Sequence, residues 1–252
     1  MAAPANRITV VSDTAGMDYA RFLAEILGAP VFFESQASRG RIHSRYLLRV
    51  SGSRLQLEFP ADNRKPIVPK IVPGRTARGA DPLLRAIGRK FGTVIDMTGG
   101  WCVDASRIAV SGCSTIAFEC NPLVYVLCRH AIGRCRIPAI HKRLTLRLGD
   151  SAQMMRAEHI DADVVYMDPM YPPRQRDAAS PKGIALLREI VDNGGVDLSS
   201  GAMLDAAMSR AGRRIVVKRP HHAPAIREGK VGEIRSKQVR YDIYYSGPAN
   251  GN

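Results

Sequence analysis

The run Val164-Val165-Tyr166-Met167-Asp168-Pro169-Met170-Tyr171-Pro172-Pro173 sets an acid, a proline and an aromatic directly after an apolar segment. That grouping suits one kind of chemistry. An amine attached to an aromatic ring has its lone pair delocalised into the ring and is a poor nucleophile. A carboxylate at Asp168 and a backbone carbonyl held by Pro169 can accept its two hydrogens, restore lone-pair character and aim the nitrogen at a donor. Tyr171 is placed to stack on an exposed base. Asp168, Pro169 and Tyr171 are the candidate catalytic group.

Three earlier turns carry acids or glycines in a matching position. Asp96-Met97-Thr98-Gly99-Gly100-Trp101-Cys102-Val103-Asp104 runs from an apolar strand through glycines into a helix. An open α/β sheet binds nucleotide-like ligands at such a strand end, where glycines let the ligand approach the backbone. The run is not G-x-G-x-x-G, so a dinucleotide site is not expected. Glu119 ends the next strand and can accept from both hydroxyls of a ribose. Gly149-Asp150-Ser151 follows the third strand, where Asp150 can accept from an exocyclic amine such as that of adenine.

Those turns need strands and helices to hold them. Apolar runs at 93–96, 115–119, 144–148, 164–168 and 214–218 read as strands. Helical spacing at 104–111, 122–132, 186–191 and 201–210 fits between them. Strand–helix alternation predicts a mostly parallel sheet with helices on both faces. Ahead of it, residues 1–73 read as a small α/β unit with a basic linker. This unit has a strand at 7–12, a helix at 17–27 and a hairpin whose arms flank Ser51-Gly52-Ser53. From Arg64 to Lys90 there are eight Lys or Arg residues and one acid, Asp81. The first half of that stretch reads as loop and residues 81–90 as a helix. The run suits either a solvated linker or a phosphate-contacting surface.

At 252 residues the chain is long enough to bury a core without metals or disulfides. No apolar run approaches membrane-spanning length, and the first residues lack the pattern of a secretory signal. Cys102, Cys113, Cys120, Cys128 and Cys135 include no C-x-x-C pair, which predicts reduced thiols, no metal site and a cytoplasmic protein. His221 and His222, lacking a third ligand, read as exposed or RNA-facing. The net charge of +14 suggests a polyanionic partner, with nucleic acid the commonest candidate.

The loop at Asp168 resembles the Asp-Pro-Pro-Tyr loops of methyltransferases acting on exocyclic amines. Four further motifs accompany it: Asp96-x-Thr98-x-Gly100-x-x-x-Asp104, Glu119-x-Asn121-Pro122, Val216-Val217-Lys218-Arg219-Pro220 and Arg240-Tyr241-Asp242-Ile243-Tyr244. Their order and spacing over about residues 74–246 resemble the bacterial RsmJ family of 16S ribosomal RNA guanine-N2 methyltransferases. The resemblance implies a Rossmann-like class I methyltransferase domain over 74–252, with a mostly parallel seven-stranded sheet. It also implies S-adenosyl-L-methionine as cofactor, and 16S rRNA or the small ribosomal subunit as partner. The family's donor-site positions fall on Val103 and Asp104, Glu119 and Cys120, Asp150 and Ser151, and Asp168, beside Asp96 and Gly100 of the first loop. Arg75, Arg78, Lys218 and Arg219 are the expected RNA contacts. Val103 and Cys120 stand where the family carries arginine. Trp101 and Cys102 replace small residues, so Trp101 either crowds the methionine end of the donor or packs outward. Three alternatives are carried forward: amine methylation on another RNA or DNA base, a non-catalytic RNA-binding or ribosome-assembly protein on the same fold, and a nucleotide-dependent oxidoreductase. The missing G-x-G-x-x-G argues against the last.

Overall fold

The computed structural model describes residues 7–37, 44–62, 64–73, 81–88, 92–158, 160, 162–170, 182–192 and 200–246. The chain divides into two compact units, Met1–Lys70 with Val126–Arg134, and Ile71–Tyr125 with Cys135–Asn252.

In the first unit, β1 (Ile8–Ser12), α1 (Met17–Leu27), β2 (Val31–Phe33), α2 (Glu34–Ala37), β3 (Tyr46–Ser51) and β4 (Arg54–Glu58) follow in order. The sheet runs β2-β1-β3-β4, with β1 parallel to both neighbours and β3–β4 an antiparallel hairpin. Gly52 turns the hairpin at φ 54°, a left-handed conformation that glycine adopts without strain. Val10, Leu23, Leu48 and Leu57 are buried between sheet and α1. The expected strand, helix and hairpin are present; β2 and α2 are additional.

The second unit begins with α3 (Pro82–Ile87), a shorter helix than the 81–90 expected. The Asp81 carboxylate accepts from the Leu83 N–H, proline follows in the first turn, and the helix stops at Gly88. There follow β5 (Thr93–Asp96), α4 (Val103–Ser111), β6 (Ser114–Glu119), α5 (Pro122–Gly133), α6 (Pro138–Arg143), β7 (Leu144–Leu148), α7 (Ser151–Ala157) and β8 (Ala162–Met167). α8 (Lys182–Asp192), α9 (Ser200–Arg210), β9 (Ala211–Pro220), β10 (Gly232–Arg235) and β11 (Val239–Tyr244) complete it. The seven-stranded order is β10-β11-β9-β8-β5-β6-β7, and β11 alone runs against the rest.

Strand alternation explains why both faces are covered. Val94, Val164, Tyr166 and Val216 point to one face and pack with Leu83 of α3 and Ile108 of α4. Ile95, Val165, Met167, Ile215 and Val217 point to the other and pack with Met155 of α7 and Leu204 of α9. The central strands are therefore apolar throughout, as a buried parallel sheet requires. From β5 the chain builds outward through β6 and β7, then crosses back to β8 on the other side of β5. The carboxyl ends of β5 and β8 thus form a topological switch point, where open α/β sheets bind ligands.

Candidate active site

A cavity of about 430 Å³ opens at that switch point. The turn after β5 forms its floor. The buried Asp96 carboxylate accepts from the Thr98 N–H at 2.9 Å and the Thr98 hydroxyl at 3.1 Å. The same hydroxyl oxygen accepts from the Asp168 N–H at 2.7 Å, tying the loops after β5 and β8 together. Gly99 N–H donates to the Phe118 carbonyl at 2.7 Å, and a Cβ on Gly99 would lie 2.8 Å from that oxygen. Only glycine lets this turn lie so close to β6. Burial pushes the Asp96 carboxyl up to about 7, opposed by its bonds to Thr98 and reinforced by Asp104 and Asp168.

Glu119, at the end of β6, is buried against the turn. One oxygen accepts from Gly100 N–H at 2.8 Å and the other from Asn121 N–H at 2.7 Å. Burial raises its pKa. The Cys120 thiol also donates to the Asn121-bound oxygen, at 3.8 Å, so of about four acceptor sites on the carboxylate the more open ones lie on the oxygen that Gly100 holds. Cys120 lines the cavity beside it; burial and the Glu119 charge push its thiol up to about 11, which leaves it unreactive. Gly149 and the buried Ser151 also line the cavity.

Two expected donor residues have carboxylates bonded to protein partners. Asp150 is not among the lining residues; its carboxylate accepts from Gln153 N–H at 3.0 Å and caps α7. Asp104 does line the cavity, but its carboxylate is engaged by Arg107, by the Tyr166 hydroxyl at 2.7 Å and by Lys218 Nζ at 2.8 Å. Burial works against ionising Asp104, and Lys218, Tyr166 and Arg107 more than reverse it, so its pKa is lowered.

Asp168 and Pro169 sit at the cavity mouth beside Met170. Asp168 keeps 41% of its side-chain surface open, the remainder lying against protein. This burial raises its pKa, with Lys218 opposing. Tyr171, Arg75 and Arg78 lie outside the described residues.

The structure gives the expected RNA contacts on β9, Lys218 and Arg219, protein partners, and both line the cavity. Lys218 is clamped between Asp104 and Asp168, each at 2.8 Å. Arg219 is 2% exposed and donates to the Pro224 carbonyl.

Sequence reasoning gave no role to Leu187 or Tyr166 and left that of Trp101 open. Trp101 settles its own ambiguity: it lines the cavity, and its indole N–H donates to the Gly183 carbonyl at 2.7 Å, fastening α8 over the turn. Leu187 of α8 lies 3.1 Å from where a Gly100 Cβ would be. Tyr166 reads as plain strand core yet carries a hydrogen bond to Asp104. Cys102 holds φ 55° at the start of α4, a left-handed conformation that glycine adopts more easily.

The apolar walls of this cavity, its close-packed glycine turn and its buried strand-end glutamate fit a nucleoside-bearing donor. The fold and this site together define a Rossmann-like S-adenosylmethionine-dependent methyltransferase. A family model described as "Putative SAM-dependent methyltransferase" matches residues 66–246. Ribosomal RNA small subunit methyltransferase J of Pseudomonas aeruginosa (strain LESB58) is 34% identical over an alignment of 258 positions, covering 95% of each chain. The protein of the same name from Tolumonas auensis is 35% identical over 171, covering 64% of this chain and 68% of its own. A SAM-dependent methyltransferase structure from Neisseria gonorrhoeae shares the fold with a TM-score of 0.71 at 20% identity, covering 96% of this chain and 98% of that one. The chain belongs to the ribosomal RNA small subunit methyltransferase J family.

Proposed function

We propose that the protein methylates the exocyclic N2 amine of a guanosine near the 3′ end of 16S rRNA. The observation that carries this reading is the shared cavity. Asp168 and Pro169 line it together with the Gly99-Gly100 turn and Glu119. S-adenosylmethionine, when bound, supplies an electrophilic methyl carbon on a sulfonium. Glu119 holds the ribose hydroxyls, and the backbone at Gly99-Gly100 admits the donor closely. Asp168 accepts one hydrogen of the target amine and the Pro169 carbonyl the other, which turns the nitrogen lone pair toward the methyl carbon. The loop has Met170 where adenine-directed loops carry proline, which favours guanine. A small-subunit rRNA substrate agrees with the names of the relatives and with the net charge of +14.

The test is transfer of labelled methyl groups to small-subunit RNA and to 30S particles, with the modified nucleoside identified by mass spectrometry. N2-methylguanosine is the expected product. Asp168→Ala should abolish transfer, and Glu119→Ala should weaken donor binding. N6-methyladenosine as the product would replace the guanine assignment. An Asp168→Ala enzyme with parental kcat would remove the carboxylate from the chemistry.

A further inference from the structure

Lys218 occupies a position that the proposed chemistry does not by itself demand. It projects from near the carboxyl end of β9 with 23% of its side chain exposed, and its ammonium sits between two carboxylates. On one side is Asp104 Oδ2, whose other oxygen is held by Arg107 at 2.9 Å and which also accepts from Tyr166. On the other side is Asp168 Oδ2. Asp168 Oδ1 accepts no hydrogen bond among the described residues, and it belongs to the one carboxylate of the pair at the cavity mouth.

The arrangement is anchored from behind. Arg107 also pairs with Asp81, the cap of α3, and Asp81 is 5% exposed. The chain of contacts therefore runs from rigid helix ends through Asp104 and Lys218 to the loop that must hold an amine. Packing fixes every member except Asp168. Tyr241 of β11 stands opposite Lys218 in the ladder.

We infer that Lys218 is a positioning residue: it holds the Asp168 carboxylate by Oδ2, so that Oδ1 stays open and correctly aimed for the target amine. Asp104 is then the anchor of Lys218 rather than a ligand of the donor. This rests on the functional reading above and adds to it the group that sets the geometry. The charged and titratable groups around the ammonium are Asp104 and Arg107 from α4, Asp168 and Tyr166 from β8 and its loop, Asp96 from β5, and Tyr241 from β11. Asp168 feels the Lys218 cation as its main stabilising charge and Asp104 as a repulsive one. Removing the cation must therefore raise the pH at which Asp168 ionises.

The experiment compares the parent with Lys218→Met, Lys218→Arg and Asp104→Asn. It measures donor binding by calorimetry, the pH dependence of kcat, and the Asp168 carboxyl titration by 13C NMR, assigned with Asp168→Asn. Lys218→Met is expected to bind donor with parental affinity. Its kcat should fall by about 10²-fold, as when a reacting group is displaced by about 1 Å. The Asp168 titration and the acid limb of kcat should both move up by about one pH unit or more. Lys218→Arg keeps the charge and should return the acid limb to its parental position while recovering part of kcat. An Asp168 titration that does not move in Lys218→Met overturns the inference, as does parental kcat in that variant. If Lys218→Met does not fold, Asp104→Asn decides: lower kcat with donor affinity kept supports the anchor, and weakened donor binding instead overturns it. A parent protein that binds donor yet methylates no small-subunit RNA takes down the functional reading alone; the Lys218–Asp168 coupling then stands or falls on the titration.

Discussion

Asp96 shows how one buried side chain can serve a turn and weaken the fold at the same time. Its oxygen organises Thr98, and Thr98 in turn fixes Asp168, so the residue is needed for geometry. Its folded-state pKa of about 7 lies well above the unfolded value of about 4. The folded chain therefore holds a proton that the unfolded chain releases. Asp96 costs the fold nothing below about pH 4, and the cost grows as pH rises through 7. Asp96→Asn keeps an oxygen for Thr98 and cannot ionise. It should leave stability near parental at pH 4 and raise it by about 1–3 kcal/mol at pH 8. Denaturant unfolding at both pH values reads this directly, and an equal effect at the two would show that charge is not the cause. Gly99 was legible as part of a ligand-approach turn. Its sharper constraint, the 2.8 Å approach of a Cβ to the Phe118 carbonyl, needs β6 in place to be seen.

At the scale of elements, α7 reassigns Asp150. An acid after a strand suits both a ligand contact and a helix cap, and residue type does not separate the two uses. The hydrogen bond to Gln153 N–H favours the cap. Asp150→Ala should cost about 1 kcal/mol, while Asp150→Ser, which also caps, should restore most of it. The loss corresponds to a Tm decrease of about 2–4 °C for a chain of this length. Donor binding should be parental in Asp150→Ser; equal weakening in both variants would return the carboxylate to the donor site. The turn from β9 toward β10 is a second case. Arg240 pairs with the fully buried Asp242 and donates to the carbonyls of Pro220, His221 and Ala223, so β11 holds this segment in shape. Without that pairing the Lys218-Arg219 run reads as a basic surface.

At the scale of the whole molecule, most of the surplus positive charge lies outside the Lys218-Arg219 run, where Lys218 is paired with Asp104 and Asp168. Among the described residues of the basic linker, Lys65 and Lys70 are exposed. RNA association should weaken linearly in log affinity with log salt, because bound phosphates release counterions. Lys65→Glu with Lys70→Glu should raise the KM for RNA and reduce that salt slope by about 2, leaving donor affinity unchanged. Filter binding across a salt series checks it; an unchanged slope would place the phosphate contacts elsewhere. No helix among the described residues is long and apolar enough to cross a membrane.

The sequence by itself determined the alternation of central strands and helices, the hairpin of the first unit and the four strand ends that meet at one cavity. These are local patterns: apolar runs of strand length, glycines at turns, and acids just past the last apolar residue. It also carried the family, because those motifs recur in a fixed order. Tertiary structure decided which way each charge faces. Asp104, Asp150, Lys218 and Arg219 are all polar residues at element ends, and nothing in their types distinguishes a ligand contact from a cap, an anchor or a buried ion pair. That choice depends on partners far off in sequence, such as Asp168 fifty residues before Lys218. Only the packed sheet brings them within reach.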